Sequence, residues 1–275
     1  IMYYIGIDVA KKALSVFDGK ISLEFENREG LKTFYRYLKK HYKYFENLVL
    51  IFEATGIYSE HLRELCAKHQ IQAYILNPKQ SHNFAKSLGV RSKADKIDAQ
   101  TIWRYQSLIP QEKIRIPVID PEAKMLSSYL TSYQFIQGQR VAVSNHLESV
   151  TEPSLRKLLQ AELRRKEQLE EQLLAEIQAY IEEHPGLAED YQRLRRIPGI
   201  GEKLAFSLLT LFRHYQGTNR AQITALVGLD PIFKESGSSV KGKARISKNG
   251  NRYIRKMLYL PTLCAIKNNK KIAVF

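Results

Sequence analysis

The chain contains 275 residues, of which 43 are Lys or Arg and 28 are Asp or Glu, so its formal net charge is +15. Hydrophobic residues make up 44% of the sequence, enough for folded cores, which excludes a disordered basic tail and a low-complexity RNA-binding segment. A folded, strongly basic protein is expected to bind a polyanion, and nucleic acid is the usual polyanion of the cytoplasm. No apolar stretch reaches the roughly 18 residues of a membrane helix and no signal peptide opens the chain, so we expect a cytoplasmic protein with no membrane partner. Cys66 and Cys264 have no disulfide or zinc spacing and are predicted to be buried free thiols.

The first predicted elements are three strands. Residues 3–9 form an apolar strand, and the alternating segments 14–17 and 21–25 follow it around a turn at Asp18-Gly19. This pattern predicts a three-stranded meander. Asn27 is then predicted to cap a helix that ends near residue 40.

Strands and helices alternate in the next forty residues. The continuous apolar run 47–52 is typical of a central parallel strand, and a helix is expected at 59–69. A further strand at 71–76 and a helix that opens near Pro78 complete the pattern. The order β-β-β-α-β-α-β-α is that of the ribonuclease H-like fold, a mixed α/β class with a mixed sheet flanked by helices.

The middle of the chain is predicted to be helical. Pro110 and Pro117 bracket a linker, and residues 121–183 form helices with one break at 152–154. Leu and Ala recur there at steps of three and four residues, as in a helical hairpin or coiled coil, although a plain globular helix gives the same stripe. We interpret this region as a self-association element.

The positive charge is concentrated near the end of the chain. Between Lys234 and Lys271 there are eleven Lys or Arg and one acid, Glu235, so +10 of the net +15 lies in this segment. The surface that meets the polyanion is therefore predicted to be largely C-terminal.

Four carboxylates are candidates for a metal site. Asp8 ends the first strand and Glu53 follows the central apolar run, so both are expected at the same edge of the sheet. Asp95 and Asp98 share one face of a helix that Ser92 can cap. Each alone is more often a solvated surface residue, but four converging carboxylates repel one another unless Mg²⁺ or Mn²⁺ lies between them.

A second candidate is the segment 194–209, which matches a helix-hairpin-helix. Its Pro-Gly-Ile-Gly turn directs backbone N–H groups at a helix N-terminus toward a phosphate, and Gly199, Gly201 and Lys203 are the candidate contacts. Such a hairpin also occurs as a purely structural connector. As a nucleic-acid site it would bind the backbone without reading sequence.

The third candidate is a basic loop with a Ser-Gly pair at Ser236. A hydroxyl there could attack a phosphodiester while cations neutralise the developing charge, although Ser238 and Ser239 compete for the role and no His or Asp base lies nearby. The candidate nucleic-acid contacts of this region are Lys241, Lys243, Arg245, Lys248, Arg252 and Arg255.

Together these motifs resemble the DEDD transposases of the insertion sequence 110 family and the related Piv DNA invertases over nearly the whole chain. The matching segments are Tyr4-Ile-Gly-Ile-Asp-Val-Ala-Lys-Lys, Phe52-Glu-Ala-Thr-Gly-Ile-Tyr58, Leu76-Asn-Pro, Lys93-Ala-Asp-Lys-Ile-Asp-Ala, Ile197-Pro-Gly-Ile-Gly, Glu235-Ser-Gly-Ser-Ser-Val-Lys-Gly and Ile246-Ser-Lys.

The resemblance implies three regions: a RuvC-like domain at 1–115, a helical coiled-coil oligomerisation region at 116–190 and a mainly helical transposase domain at 191–275. It also implies that the four carboxylates are the family's metal-binding tetrad and that Ser236 is the nucleophile that forms a phosphoserine linkage to DNA. Family members act as oligomers with composite sites and are guided by a structured bridge RNA. Because the family usually continues with further helices, the resemblance predicts that part of the C-terminal domain is missing here.

We therefore hypothesise a Mg²⁺-dependent (or Mn²⁺-dependent) DNA transposase or recombinase of a mobile element, with donor and target DNA, a bridge RNA and a homodimer or homotetramer as partners. Three alternatives remain. They are a DNA invertase, a resolvase-like nuclease that cuts branched DNA with no covalent intermediate, and a non-catalytic nucleic-acid-binding protein with a structural tetrad.

Overall fold

The computed structural model describes residues 2–88, 98–232 and 243–268, and the backbone of the short strands 235–236 and 240–241. The chain divides into two compact units, residues 1–119 and 120–275. No helix in these described ranges is both long enough and apolar enough to cross a bilayer.

The first unit is built on a five-stranded mixed sheet. Its strands are β1 (Tyr3–Val9), β2 (Ala13–Phe17), β3 (Ser22–Glu26), β4 (Leu48–Glu53) and β5 (Gln72–Leu76). The spatial order is β3-β2-β1-β4-β5, with antiparallel pairing in the meander and parallel pairing of β1 with β4 and β4 with β5. The predicted strand order along the sequence is confirmed within one or two residues at each boundary.

Helices cover both faces of this sheet because the central strands are apolar on both sides. They are α1 (Leu31–His41), α2 (Ile57–Lys68), α3 (Pro78–Ser87) and α4 (Ala99–Arg104). On one face, Ile7 and Phe52 pack with Phe34 of α1 and Leu62 of α2. On the other face, the core includes Val49, Ile51, Tyr74 and Leu76 of the strands and Ile102 of α4.

Asn27 does not cap the first helix, so that prediction is wrong. The N-cap of α1 is Gly30, which has no side chain to accept a hydrogen bond. The Asn27 side chain is buried and its Nδ2 donates to the carbonyl oxygens of Ala10 at 2.8 Å and Tyr58 at 3.1 Å. It thus ties the meander to α2, a long-range role that a local capping pattern does not reveal.

The second unit is mostly helical. Its long helices α5 (Pro121–Ser149) and α6 (Pro153–Glu183) pack together as a hairpin. The break between them is at 150–152, two residues before the predicted 152–154. The further helices are α7 (Pro185–Arg195), α8 (Glu202–His214), α9 (Arg220–Val227), α10 (Arg252–Met257) and α11 (Tyr259–Asn268). Leu126 and Tyr133 of α5 and Ile177 and Ile181 of α6 share one core with Phe206 of α8.

The two cysteines differ in their surroundings. Both are free thiols, as predicted. Cys66 is fully buried in the sheet core, and this burial raises the pKa of its thiol to about 12, so the thiol is protonated and unreactive at neutral pH. Cys264 is only half-buried, so the prediction of burial is wrong for that residue.

Candidate active site

Asp8 and Glu53 lie on neighbouring parallel strands at the same end of the sheet. In the β1–β4 register Ile7 pairs with Phe52, so Asp8 and Glu53 are the next residues toward the carboxyl ends. Strand side chains alternate between faces, and because Ile7 and Phe52 belong to the core under α1 and α2, both carboxylates belong to the opposite face. Neighbouring strands are about 4.8 Å apart, which brings these two acids within reach of a shared cation.

Asp98 begins the helix that covers this same face. Its Oδ1 accepts a hydrogen bond from the Thr101 backbone N–H at 2.7 Å, so it is the N-cap of α4. The backbone of Asp98 is extended, so the prediction that it lies within a helix, on one face with Asp95, is wrong. Gly6 of β1 permits close packing, because a Cβ at this position would be 2.2 Å from the Ala99 carbonyl oxygen. Trp103 Nε1 donates to the Tyr4 carbonyl oxygen at 3.0 Å, so α4 is also hydrogen-bonded to β1.

Asp95, the fourth predicted carboxylate, lies outside the described residues, as does Ser92. Among the residues that are described, no group of three or more His, Cys, Asp or Glu side chains is close enough to hold one metal ion. The donor set itself consists of hard carboxylate oxygens, the ligands that Mg²⁺ and Mn²⁺ prefer. The residues therefore fit such a cation in chemistry, and the four-carboxylate site stays a prediction.

Ser81 is a site neighbour that the sequence did not indicate. It is 2% exposed in α3, and its hydroxyl donates a short hydrogen bond to Glu53 Oε1. A buried donor on one carboxylate oxygen fixes the orientation of the other, as hydrogen bonds commonly do for metal-binding carboxylates. The motif Leu76-Asn-Pro, which precedes Ser81, has a structural role. The side chain of Asn77 caps α3 because its Oδ1 accepts a hydrogen bond from Lys79 N at 2.9 Å.

The predicted helix-hairpin-helix is formed by α7 and α8, which the turn 196–201 connects. Gly199 has φ +89, and a Cβ there would be 2.9 Å from the Pro261 carbonyl oxygen, so this glycine allows α11 to pack against the turn. Gly201 is the N-cap of α8, and no described atom lies within 4 Å of a Cβ built on it. Of the two glycines, Gly201 thus has the open surroundings that a phosphate contact requires.

Lys203 of the helix-hairpin-helix forms an ion pair within the protein. Its Nζ is 2.8 Å from Oε1 of Glu170, a residue of α6 that is 5% exposed. Glu170 also accepts hydrogen bonds from Tyr133 Oη and Arg140 Nε, both at 2.8 Å. Burial alone would raise the pKa of Glu170, but hydrogen bonds from Lys203, Tyr133 and Arg140 outweigh burial and lower the pKa to about 2.

Close packing and a hydrogen bond hold together the two chain segments at the base of the predicted serine loop, in the second unit. Gly228 ends α9 with φ +71, and a Cβ on Gly250 would be 2.2 Å from the Leu226 carbonyl oxygen, so glycine is required where the two chain segments meet. Ser247 Oγ donates to Asp230 Oδ1 at 2.5 Å. We call the segment 228–250, closed in this way, the serine ribbon.

Two short antiparallel pairs form the described part of the serine ribbon. Strand β6 (Pro231–Ile232) pairs with β9 (Arg245–Ile246), and β7 (Glu235–Ser236) pairs with β8 (Val240–Lys241). Ser236 thus lies on a hairpin strand opposite Val240, whereas Ser238 and Ser239 lie outside the described residues. Among the described residues, the exposed cations of the ribbon and of the helix that follows it are Lys243, Arg245, Lys248, Arg252 and Lys256.

Arg255 contacts the base of the serine ribbon. Its Nη1 donates to the Val227 carbonyl oxygen at 2.7 Å and to that of Gly250 at 3.4 Å. The guanidinium therefore stabilises the C-terminus of α9 and the closure of the ribbon. The prediction that Arg255 also binds nucleic acid is not tested by these contacts.

Comparison with known proteins identifies the family. The DEDD transposase model of the IS110 type matches residues 5–153, and a model described as transposase IS116/IS110/IS902 family matches residues 191–275. The first covers more than half of the chain, which therefore belongs to the IS110 family of transposases and is a DNA-cutting and rejoining enzyme. The chain is also similar to the pilin gene-inverting proteins of Moraxella bovis and Moraxella lacunata, each 29% identical over 276 residues, covering 94% of this chain and 82% of the relative.

Proposed function

We propose that the protein is a metal-dependent DNA recombinase of a mobile element, in which Asp8, Glu53, Asp95 and Asp98 bind Mg²⁺ or Mn²⁺. The observation that carries this proposal is the shared edge of β1 and β4, where two carboxylates are adjacent on the face that α4 and its N-cap Asp98 cover. Carboxylates close to DNA repel its phosphates unless a cation lies between them. The strand order β3-β2-β1-β4-β5 supports a ribonuclease H-like, RuvC-like fold for this unit.

In the proposed reaction the Ser236 hydroxyl oxygen attacks a DNA phosphorus. A Ser–O–P bond forms, the bond from phosphorus to one deoxyribose oxygen breaks, and the serine proton is transferred to a base while the leaving oxygen gains a proton. A divalent cation bound by the carboxylates would stabilise the negative charge on the phosphate oxygens. Lys243, Arg245 and Lys248 would hold the DNA backbone by charge. Attack on the phosphoserine by the hydroxyl released at a second DNA site then joins the two DNA ends, breaks the Ser–O–P bond and regenerates the serine, which regains its proton.

The metal site is tested by cleavage of matched DNA with Mg²⁺, with Mn²⁺ and with EDTA. Asp8→Asn and Glu53→Gln are expected to reduce cleavage at least a thousandfold, and Glu24→Gln, an exposed carboxylate of β3, serves as the matched control. Full cleavage in EDTA, or by the Asp8→Asn protein, would contradict the metal assignment and support a structural role for the carboxylates.

The nucleophile is tested by trapping protein-linked DNA on denaturing gels. Ser236→Ala is expected to abolish the adduct, whereas Ser238→Ala and Ser239→Ala should retain it. An adduct with Ser236→Ala would show that another residue attacks. Metal-dependent cleavage with no adduct in the unaltered protein would favour a resolvase-like nuclease.

We further propose that a bridge RNA guides the enzyme to its donor and target DNA. The support is the family membership together with the concentration of +10 of the net charge between residues 234 and 271. Sequencing of the RNA that copurifies with the protein is the test, and a transcript of the element's end is the expected result. Recombination that proceeds unchanged after RNase treatment would refute the guidance.

Self-association as a homodimer or homotetramer is proposed for the α5–α6 hairpin. This hairpin carries large apolar side chains that are exposed in the single chain, including Phe135 at 61%, Leu155 at 52% and Leu158 at 67%. Exposed apolar side chains on a long helical hairpin are typical of an interface between copies. Light scattering of the purified protein gives the oligomer number, and a monomer would contradict the proposal.

The similarity to pilin gene-inverting proteins favours DNA inversion as the second candidate reaction. The two reactions share the same cutting and rejoining chemistry and differ in the arrangement of the DNA sites. A plasmid that carries two candidate sites in inverted orientation distinguishes them, because inversion changes the restriction pattern and retains the plasmid length. Excision and insertion elsewhere would support transposition.

A further inference from the structure

The first unit has a basic, aromatic groove on the side of the sheet away from the carboxylates. It lies between α1 and α2, whose Phe34 and Leu62 pack on the sheet face opposite α4. The groove has a volume of about 400 Å³. The side chains that line it include Lys32, Tyr35, Arg36, Glu64, Lys68 and His69.

Stacked aromatic rings form part of the groove wall. The Tyr35 ring and the His69 imidazole are 3.7 Å apart between centroids, with 19° between their planes. Partial burial lowers the pKa of His69, and the neighbouring Lys68 and Lys39 lower it further, so the imidazole is neutral at pH 7 and presents an aromatic ring. Lys39 also lies 5.8 Å from the Tyr35 ring centroid. The half-buried Tyr35–His69 ring pair provides a flat surface on which another ring can stack.

The rim of the groove is positively charged. Lys32, Arg36 and Lys68 are exposed there, and no described carboxylate forms an ion pair with any of them. Among the described residues that line the groove, Glu64 is the one acidic side chain, and its Oε2 lies 3.8 Å from His61 Nδ1. Three cations around an aromatic surface are complementary to phosphates on either side of a base. An acidic peptide would match the charge but would leave the aromatic surface unused.

We propose that this groove binds an unpaired nucleotide of a single-stranded nucleic acid. The base stacks on the Tyr35–His69 pair, and Lys32, Arg36 and Lys68 contact the phosphates on each side of it. A paired base cannot stack in this way, so the groove selects single strands over duplex. The site is separate from the carboxylate edge and does not depend on the proposed cleavage chemistry.

Stacking is tested in the full-length protein, in EDTA so that cleavage does not interfere. The probe is a 12-nucleotide strand in ribose and deoxyribose forms, with the matching duplex for comparison. Tyr35→Leu is expected to lower single-strand affinity about tenfold, and Tyr35→Trp should retain it because indole stacks equally well. A loss of affinity for either the ribose or the deoxyribose strand supports the proposal. The form that binds more tightly identifies whether RNA or DNA occupies the groove.

The charge of the rim is tested by salt dependence. The triple change Lys32→Gln, Arg36→Gln and Lys68→Gln is expected to reduce the slope of log affinity against log salt by about 2. The control variant has the same change in net charge. It replaces with Gln three exposed lysines of the first unit that lie outside the groove, Lys20, Lys40 and Lys113. An equal reduction in the control would overturn the proposal, because the effect would then come from net charge alone.

Mapping the contact separates this groove from the basic C-terminal segment. A strand with one 5-iodouracil should crosslink on irradiation to Tyr35 or His69, identified by mass spectrometry. Unchanged single-strand affinity of the folded Tyr35→Leu protein would overturn the proposal. So would a loss of duplex affinity as large as the loss of single-strand affinity, or competition by polyglutamate as strong as competition by a single strand. Since these measurements exclude metal, failure of the proposed cleavage reaction would leave them unaffected.

Discussion

Replacement of Glu170 by Gln is expected to destabilise the helical unit in a manner that depends on pH. Glu170 is 5% exposed and accepts hydrogen bonds from Tyr133, Arg140 and Lys203, which belong to helices α5 and α8. Glutamine can keep the two bonds that Oε1 accepts from Tyr133 and Lys203, but it loses the acceptor for Arg140 and removes the negative charge that both cations share. The carboxylate therefore connects the helical hairpin to the helix-hairpin-helix.

The expected magnitude follows from the lowered pKa. The pKa of Glu170 falls from an ordinary 4.5 to about 2 in the folded protein, which corresponds to about 3 kcal/mol of stability at pH 7. Because the folded pKa is the lower one, this stability is present above the unfolded pKa and is lost as pH falls toward 2. It amounts to about 1 kcal/mol at pH 3. The side chains of Arg140 and Lys203 are 30% and 44% exposed, so water screens them partly after the charge is removed.

The assay is urea unfolding of the unaltered and Glu170→Gln proteins at pH 7 and pH 3, followed by circular dichroism. The loss of unfolding free energy is expected to be about 3 kcal/mol at pH 7 and about 2 kcal/mol smaller at pH 3. Glu171→Gln, an exposed neighbour on the same helix, should change stability by less than about 0.5 kcal/mol at either pH. An equal loss at both pH values for Glu170→Gln would refute the reasoning, because the cost would then not be electrostatic.

Three further predictions concern packing and assembly. Gly6→Ala should destabilise the first unit by about 3 kcal/mol in thermal unfolding, because a Cβ would be 2.2 Å from the Ala99 carbonyl oxygen. No atom of the described residues lies within 4 Å of a Cβ on Gly138 in α5, so Gly138→Ala is expected to raise stability by about 1 kcal/mol; equal effects would contradict the close packing of α4. Asp230→Ala removes the acceptor at the base of the serine ribbon and should speed amide exchange of residues 245–251 about fivefold, and unchanged exchange would be the contrary result. Leu169→Glu, at a side chain 41% exposed on α6, should lower the oligomer number measured by light scattering, and an unchanged mass would argue against that interface.

Much of the first unit was predictable because its signals are local. Apolar runs and turn residues located the strands to within two residues, and Pro153 and the charged repeats located the break and the second helix of the hairpin. Asn27 shows the limit of such reasoning. Its position suits a helix cap, yet its amide bonds to carbonyl groups 17 and 31 residues away, and a local pattern has no information about such partners.

The same limit applies to the candidate nucleic-acid contacts of the second unit. Lys203 and Arg255 have the charge expected of phosphate contacts, and composition alone cannot distinguish a solvent-facing cation from a paired one. In the structure Lys203 pairs with Glu170 and Arg255 donates to the Val227 carbonyl oxygen. Lys248 and Arg252, by contrast, are exposed.

The sequence by itself determined the class of chemistry: the net charge implied a polyanion partner, and the ordered motifs identified the transposase family. These features reside in residue types and spacing, which the chain carries before it folds. Only the tertiary structure decided that Asp8 and Glu53 share one face, that Ser81 binds Glu53, and that Gly6 allows α4 to approach. The physical reason is that strand register and close packing join residues 28 to 93 positions apart, through contacts that exist only once the sheet and its helices have formed.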